Sequence, residues 1–151
     1  MDERPSMAPP MPATDPQRTP GRAWATLAAM SFATDVLRRL AAAEEVEIET
    51  EAPDGPAHRT TIWVVVDGDD VFIRSYRGHP ARWFREATAN PAVALHLDGR
   101  RLPVTAIPAT DPDSIERISA ALKAKYAHDP TSLATMLEPD MIDANFRLEP
   151  I

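Results

Sequence analysis

The run from Arg59 to Ser75, RTTIWVVVDGDDVFIRS, constrains the fold of this chain more than any other stretch. TTIWVVV is rich in β-branched and aromatic residues, which are typical of strands. Asp67-Gly68 supplies the positive φ that a tight hairpin turn needs, and VFIRS continues as a second strand. The run therefore predicts a hairpin around which the rest of the chain is organised.

Three further segments predict the remaining strands. EVEIETE alternates, with Val46, Ile48 and Thr50 on one side and glutamates on the other, which indicates a strand with one solvated face. VALHL (93–97), an Asp98-Gly99 turn and RLPVTAI (101–107) predict a second hairpin, and NFRLEP (145–150) predicts a last strand. Because Pro103 cannot donate to a ladder, its strand is expected at an edge or with a bulge.

Helical signals separate these strands. A short amphipathic helix is expected from residue 34 to about 43, with Thr34 or Ser31 as its cap. His79-Pro80 should open a helix that ends before Asn90-Pro91, and Asp111-Pro112 should open a longer one. A short helical turn is expected over 132–137. Six strands punctuated by helices predict an α+β antiparallel barrel or roll.

Composition narrows the classes of partner. At 151 residues the chain suggests one domain, and the absence of Cys excludes disulfides, thiolate metal sites and a Cys nucleophile. The four histidines have no carboxylate at ligand spacing, so no metal site is predicted. A net charge of -7 argues against nucleic acid or an anionic membrane surface as a partner.

The first 30 residues are set apart by their prolines and are expected to form a disordered tail before a domain spanning 31–151. Residues 23–33, AWATLAAMSFA, share features with a signal-peptide core, but Trp24 and the preceding prolines argue against export. The run is also shorter than the roughly 20 residues that cross a bilayer. A cytoplasmic location is expected.

Arginines concentrate where the central hairpin ends. Residues 59–101 hold seven arginines against five acidic residues, in a protein that is acidic overall. After the second hairpin strand come Arg74, Ser75, Arg77, Arg82 and Arg85, and guanidiniums beside a hydroxyl suit a phosphate because Arg forms bidentate, charge-assisted hydrogen bonds. A small anionic ligand is one interpretation, and a solvated arginine face is the other.

Three short motifs in this order resemble the split β-barrel flavin-binding superfamily of pyridoxamine phosphate oxidases and deazaflavin-dependent nitroreductases. They are Arg59-Thr60-Thr61-Ile62-Trp63, Ser75-Tyr76-Arg77-Gly78, and Arg82-Trp83-Phe84-Arg85 followed by Ala89-Asn90-Pro91. The chain is most similar there to a group of small uncharacterised proteins. The resemblance covers about residues 31–151 and implies a six-stranded antiparallel split β-barrel, a Greek-key roll with flanking helices.

The resemblance also implies a ligand and a set of contacts. FMN, or a deazaflavin coenzyme, would place its phosphate against Ser75, Arg77 and Arg82. Its ring would lie along the first hairpin strand, near Arg59, Thr60, Thr61 and Trp63, and Trp83 of the next helix could also stack on it. The superfamily is usually dimeric, so a homodimer is expected by resemblance.

Each aromatic or hydroxyl residue in this set also has a purely structural explanation. Trp63 and Trp83 are typical core residues, and Thr60 and Thr61 suit any strand. No residue pattern identifies an acid–base pair, and no catalytic residue is assigned.

Two functions remain open at this point. The first is an oxidoreductase that moves a hydride from a flavin or deazaflavin to a small oxidised acceptor such as a quinone or nitro compound, with the cofactor carrying the chemistry. The second is a non-catalytic module of the same fold that binds a ligand or partner without flavin.

Overall fold

The structure is a computed structural model and describes residues 31–151. The predicted tail and the apolar run as far as residue 30 lie outside the described residues. The helices are α1 (Thr34–Ala42), α2 (Arg82–Ala89), α3 (Pro112–Lys125) and α4 (Pro130–Met136). The strands are β1 (Val46–Glu51), β2 (Ala57–Ile62), β3 (Val65–Asp67), β4 (Asp70–Arg74), β5 (Ala92–Leu97), β6 (Arg100–Pro108) and β7 (Asn145–Pro150).

Seven strands in the described part of the chain form one antiparallel sheet in the order β2-β1-β5-β6-β7-β4-β3. The two edge strands, β2 and β3, are consecutive in sequence and separated only by Trp63 and Val64. The sheet must therefore curl until its edges meet at these two residues. The result is an α+β half-barrel consistent with a split barrel, and the predicted number of six strands is wrong.

The extra strand arises because TTIWVVV breaks at Val64 instead of running through. The backbone N–H of Val64 donates to the Tyr126 hydroxyl (3.3 Å), and its carbonyl accepts from Lys125 Nζ (2.7 Å). Side chains at the end of α3 thus satisfy backbone groups that a sheet ladder would otherwise hold. The residues on either side of the break pair with different partners, β2 with β1 and β3 with β4.

Most locally signalled elements are confirmed. In β1 the predicted alternation is observed, with Val46, Ile48 and Thr50 buried. The β3–β4 hairpin turns at Gly68, whose φ is +64°. Asp111 caps α3 by accepting from the backbone N–H of Ser114 at 3.0 Å. Strong local signals were sufficient for these features because their partners are close in sequence.

Some boundaries differ from expectation. The cap residue of α1 is Ala33, which makes no side-chain cap hydrogen bond, so the predicted Thr34 or Ser31 cap is wrong. Helix α2 begins at Arg82, and the residues before it form a turn in which Ala81 N donates to the Gly78 carbonyl. His79-Pro80 therefore precedes the helix instead of opening it.

Pro103 lies in an interior strand, because β6 has neighbours on both sides, and the expectation of an edge is wrong. Ala106 N points toward β5, since it donates to the Pro91 carbonyl, and alternate residues point to opposite neighbours. The nitrogen of Pro103 therefore faces the β7 side. The pairing with β7 ends at Val104, so the sheet has no β7 carbonyl waiting for an N–H at position 103. Proline at this position therefore costs the sheet no hydrogen bond.

Buried residues form two clusters that share β4. The first lies inside the curl and includes Leu40 of α1, Ile48, Phe84 of α2 and Phe146. The second lies under α3 and α4, with Phe72, Ile118, Leu122, Tyr126 and Met136. Val71 and Ile73 belong to the first cluster and Phe72 to the second, so β4 is covered on both faces. In residues 31–151 no helix has the length and apolarity to cross a membrane.

Candidate functional site

A cavity of about 420 Å³ opens between the end of β2, the loop before α2 and the start of α4. Its lining combines guanidiniums, aromatic rings, hydroxyls and two carboxylates. The lining residues are Glu45, Thr60, Thr61, Ile62, Trp63, Arg74, Tyr76, Arg77, Ala81, Arg82, Trp83, Asp129, Ser132 and Met136. Six of the predicted site residues are therefore brought together around one volume: Thr60, Thr61, Trp63, Arg77, Arg82 and Trp83.

Two exposed arginines at this cavity lack a close carboxylate. Arg77 makes no hydrogen bond or ion pair with any residue in 31–151. Arg82 reaches Glu86 Oε1 only at 4.0 Å and the Thr60 hydroxyl at 3.5 Å. By contrast, Arg101 and Arg117 form close ion pairs with Glu49 and Asp67. The two cavity arginines are thus available to an anion that enters.

The start of α2 adds backbone donors beside these arginines. Its cap residue, Ala81, also lines the cavity and offers no side-chain acceptor to the amides of the first turn. Unsatisfied first-turn amides favour an anion, although here they only supplement the guanidiniums.

The two tryptophans occupy different environments. Trp63 stacks face to face on Tyr126, with ring centroids 3.8 Å apart and an interplanar angle of 1°. Trp83 is 5% exposed and packs edge-on against Phe84 in the main core. Both rings therefore contribute to packing, as is typical of core tryptophans, and both also line the cavity.

Ser75 and Arg59 do not line the cavity. Ser75 is fully buried, and its hydroxyl donates to the Gly78 carbonyl at 2.7 Å, closing the turn that precedes α2. Arg59 lies in a separate shallow groove, where it pairs with Glu47 across strands at 2.7 Å. The structure thus gives Ser75 a turn-forming role and Arg59 a cross-strand one.

Arg74 has an unexpected role, since it points inward and only a part of it reaches the cavity wall. It is 1% exposed, and all five of its N–H groups are engaged: Nε with Asn145 Oδ1, and the terminal nitrogens with Ser119 Oγ and the carbonyls of Met136, Ile115 and Ile142. Burial lowers the pKa of Arg74 to about 10. This guanidinium joins β4 to α3, α4 and β7 and is committed to structure.

Two carboxylates lie at the opposite end of the cavity from Arg82. Arg82 contacts Thr60, whereas Glu45 precedes Val46, the partner of Ile62, and so sits level with Trp63. Thr60 and Trp63 are about 10 Å apart along an extended chain. Asp129 follows close behind Tyr126, the residue stacked on Trp63, because its N–H donates to the Tyr126 carbonyl. Glu45 and Asp129 thus lie beside Trp63, away from the contact between Arg82 and Thr60.

Sequence reasoning gave no role to the lining residues Ile62 and Ala81, and it also missed five others: Glu45, Tyr76, Asp129, Ser132 and Met136. Of these, Tyr76 alone carried a usable signal, because it lies between Ser75 and Arg77 in a motif already singled out. It is 45% exposed, which is unusual for a large aromatic side chain. In residues 31–151 no group of three His, Asp or Glu side chains is arranged to hold a metal ion.

Solved structures with a similar fold support the split-barrel assignment. The heme storage protein HutZ from Vibrio cholerae has 15% identity and a TM-score of 0.55, over 81% of this chain and 92% of that one. A protein from Listeria innocua, provisionally assigned as a pyridoxamine 5'-phosphate oxidase, has 14% identity and a TM-score of 0.54, over 78% and 90%. An F420-H2-dependent reductase, FDR-A, has 17% identity and a TM-score of 0.53, over 70% and 94%. At such identities the likeness shows the fold alone.

No curated protein matches this chain in sequence. A family model does match, and it spans residues 36–148, from the middle of α1 to the middle of β7. The predicted resemblance to a small uncharacterised family with the split-barrel fold is confirmed by this match and by the fold. The chain belongs to the family DUF2255, described as an uncharacterized protein conserved in bacteria.

Proposed function

We propose that the cavity binds FMN or a related deazaflavin and that the protein is a reductase that passes a hydride to a small oxidised acceptor. The observation that carries this proposal is the pair Arg77 and Arg82, exposed and without a close carboxylate, in the lining of a cavity that also holds aromatic side chains. Guanidiniums without a close carboxylate in a concave site favour an anionic ligand, and the aromatic lining favours one with a planar ring.

The residues present fit such a cofactor. A volume of about 420 Å³ lies within the range usual for organic ligands. Arg77, Arg82 and the first amides of α2 would hold the phosphate, and Thr60, Thr61 and Trp63 would lie beside the ring. Ser75 and Arg59 do not take part in this version of the site, because their side chains are engaged elsewhere.

A bound flavin or deazaflavin would itself supply the hydride chemistry. The protein would orient it: Ile62, Ala81 and Met136 would exclude water from the cavity wall, and Glu45 and Asp129 would accept hydrogen bonds beside Trp63. No acid–base residue is needed for this role, so none is assigned.

The names of the similar structures are compatible with the proposal, since one is an F420-H2-dependent reductase and another is assigned to the pyridoxamine phosphate oxidases. HutZ, described as a heme storage protein, suggests heme as an alternative ligand. Heme iron is held by His, Cys, Met or Tyr. No His lines the described cavity, Met136 is 3% exposed, and Tyr76 is the remaining candidate ligand of the lining, whereas the two arginines and the aromatic lining suit the phosphate and ring of a flavin. A flavin is therefore the better fit.

The first test is an absorbance spectrum of the purified protein, alone and after incubation with FMN, a deazaflavin or hemin, followed by gel filtration. We expect a flavin-like band that stays with the protein and a raised melting temperature, as ligand linkage requires. A Soret band would reassign the cavity to heme. A flat spectrum with an unmoved melting temperature would favour the non-catalytic module.

The second test is Arg82→Ala, with Arg85→Ala as the matched control on the same helix. We expect Arg82→Ala to weaken FMN binding by about 1.5–3 kcal/mol, the usual contribution of a hydrogen bond to a charged group. Arg85 donates to the Pro80 carbonyl and does not line the cavity, so its variant should bind FMN as the wild type does. Equal affinities for all three proteins in a fluorescence titration would contradict the phosphate assignment.

A further inference from the structure

A buried carboxylate lies directly behind Arg82 and has no part in the function proposed above. Glu86 follows Arg82 by one turn of α2, and its side chain is only 9% exposed. Thr50 of β1 donates its hydroxyl to Glu86 Oε1 at 2.7 Å. His58 of β2 brings Nδ1 to within 3.3 Å and 3.2 Å of the two carboxylate oxygens.

The contacts of Glu86 define the protonation of its neighbour. Burial tends to raise the pKa of Glu86, but the hydrogen bonds from Thr50 and His58 and the charges of His58 and Arg82 hold it below its ordinary value. An ionised carboxylate only accepts, so Nδ1 of His58 carries the proton that faces Glu86. The other ring nitrogen makes no hydrogen bond with a residue in 31–151, and the His58 side chain is 31% exposed.

The charges near His58 come from α2 alone among the described contacts. Helix α2 contributes Glu86 and Arg82, and β1 contributes the uncharged Thr50. On β2 itself, Thr60 lies two residues on, on the same face as His58, and touches Arg82. With His58 neutral, Glu86 and Arg82 cancel each other. With His58 protonated, the cluster carries one net positive charge beside the cavity.

We propose that His58, acting through Glu86, regulates anion binding at Arg82, so that protonation of His58 tightens the hold of the cavity on a phosphate-like group. The inference rests on the proposed function, because it concerns the same anion-binding end. Arg82 is the binding residue, whereas Glu86 and His58 position it and set its effective charge. The ordinary pKa of a His side chain lies between about pH 5 and pH 8, so the proposal is tested across that range.

Sulfate is the probe that tests this, because unlike a phosphate monoester it keeps its charge throughout that range. We expect sulfate, followed by NMR chemical shifts at constant ionic strength, to bind about three- to tenfold more tightly at about pH 5.5 than at about pH 8, from one added charge in the cluster that includes Arg82. In His58→Gln, which keeps a donor for Glu86, the affinity near pH 8 should be unchanged and the tightening should be lost.

The matched control is His79→Gln. His79 pairs with Asp143 at 2.9 Å on an exposed surface and does not line the cavity, so this variant should keep the full pH dependence of sulfate binding. The same pH dependence in His58→Gln as in wild type would overturn the inference and leave the proposed function intact. Failure of the wild type to bind either sulfate or FMN would overturn the anion site itself.

A reciprocal measurement needs no variant. Because linkage between two binding events is symmetric, saturating sulfate must raise the titration midpoint of the His58 imidazole in wild-type protein. The midpoint of His79 should not move. A His58 midpoint that sulfate leaves unchanged would overturn the inference, even if His58→Gln proved too unstable to study.

Discussion

Three arginines that follow the central hairpin illustrate how position decides the role of one residue type. Arg74 is 1% exposed and gives all of its donors to neighbouring helices and strands. Arg77 is exposed and unpaired within residues 31–151, and Arg85 only closes the turn before its own helix. The same side chain is thus a structural tie, a candidate anion ligand and a surface group within a dozen positions.

Gly78 is the residue whose replacement should cost most among the turn glycines. Its φ is +75°, and a Cβ there would lie 2.9 Å from Met141 Sδ and 3.2 Å from the Asp140 carbonyl oxygen. We expect Gly78→Ala to lower the free energy of unfolding by about 2–4 kcal/mol, from backbone strain plus overpacking. Urea denaturation measures this directly.

Gly68→Ala is the matched control, because Gly68 has a similar φ of +64° but nothing within 4 Å of the new Cβ. This variant should lose only the backbone contribution, about 1 kcal/mol. Equal losses in the two variants would show that the contact with Met141 and Asp140 is not tight.

At the scale of elements, strand β1 ties the sheet together through its solvated face. Glu49 accepts from His96 of β5 at 2.7 Å and from Arg101 of β6 at 3.1 Å, so one carboxylate spans three adjacent strands. These hydrogen bonds, from Arg101 first and His96 second, lower the pKa of Glu49 to about 2. The glutamate side of the alternating pattern is therefore an ion-pair network and not only a hydrated face.

Glu49→Gln should remove the stabilisation that the hydrogen bonds from Arg101 and His96 give to the folded protein. Since the pKa of Glu49 is lower in the folded protein than its ordinary 4.5, the stabilisation is present above pH 4.5 and is lost as the pH falls toward 2. We expect a loss of about 1 kcal/mol near pH 7, because Arg101 is half-exposed and screened. The difference between variant and wild type should shrink on acidification.

Urea denaturation from about pH 7 to about pH 3 checks this. Glu51→Gln, exposed at the end of the same strand, is the control and should have little effect at any pH. A constant difference between Glu49→Gln and wild type across this range would contradict the assigned network.

At the scale of the whole molecule, the curl of the sheet is closed by two side chains at the C-terminal end of α3, Lys125 and the cap residue Tyr126. Lys125 Nζ donates to the carbonyls of Leu40 and Val64, and the Tyr126 hydroxyl donates to the Glu44 carbonyl. These bonds bring α1, the start of β1 and the β2–β3 break onto one helix end.

The homodimer expected from the resemblance stays a prediction, which sedimentation at several concentrations would check.

The burial of Lys125 and Tyr126 predicts how the free energy of unfolding depends on pH in the alkaline range. Burial lowers the pKa of Lys125 from its ordinary 10.5 to about 8. Between these two pH values the unfolded chain therefore binds more protons than the folded one. Stability due to Lys125 should therefore rise from about pH 8 toward pH 10. Above this, burial raises the pKa of Tyr126 to about 12, and that group acts in the opposite direction.

The measurement is the free energy of unfolding from about pH 7.5 to about pH 10 for wild type and Lys125→Met. The variant loses two hydrogen bonds at every pH, so the slope and not the offset is informative. We expect the wild type to gain on the variant as the pH rises. Parallel profiles would mean that Lys125 is solvated in the folded protein.

The sequence by itself determined the features whose causes are local. The alternation in β1, the glycine turns of both hairpins and the Asp111 cap depend on residues a few positions apart, and all are found. The motifs around Trp63, Arg77 and Arg82 also contain many of the residues that line the cavity. Short-range sterics and hydrogen bonding are sufficient to produce such signals.

Only the tertiary structure decided the rest. The break that creates a seventh strand depends on Tyr126, 62 residues beyond Val64, and the inward turn of Arg74 depends on carbonyls 41 to 68 residues away. Asp129 reaches the cavity because α3 closes the curl. Partners so distant in sequence leave no local pattern, since they meet only when burial of the two core clusters brings their elements together.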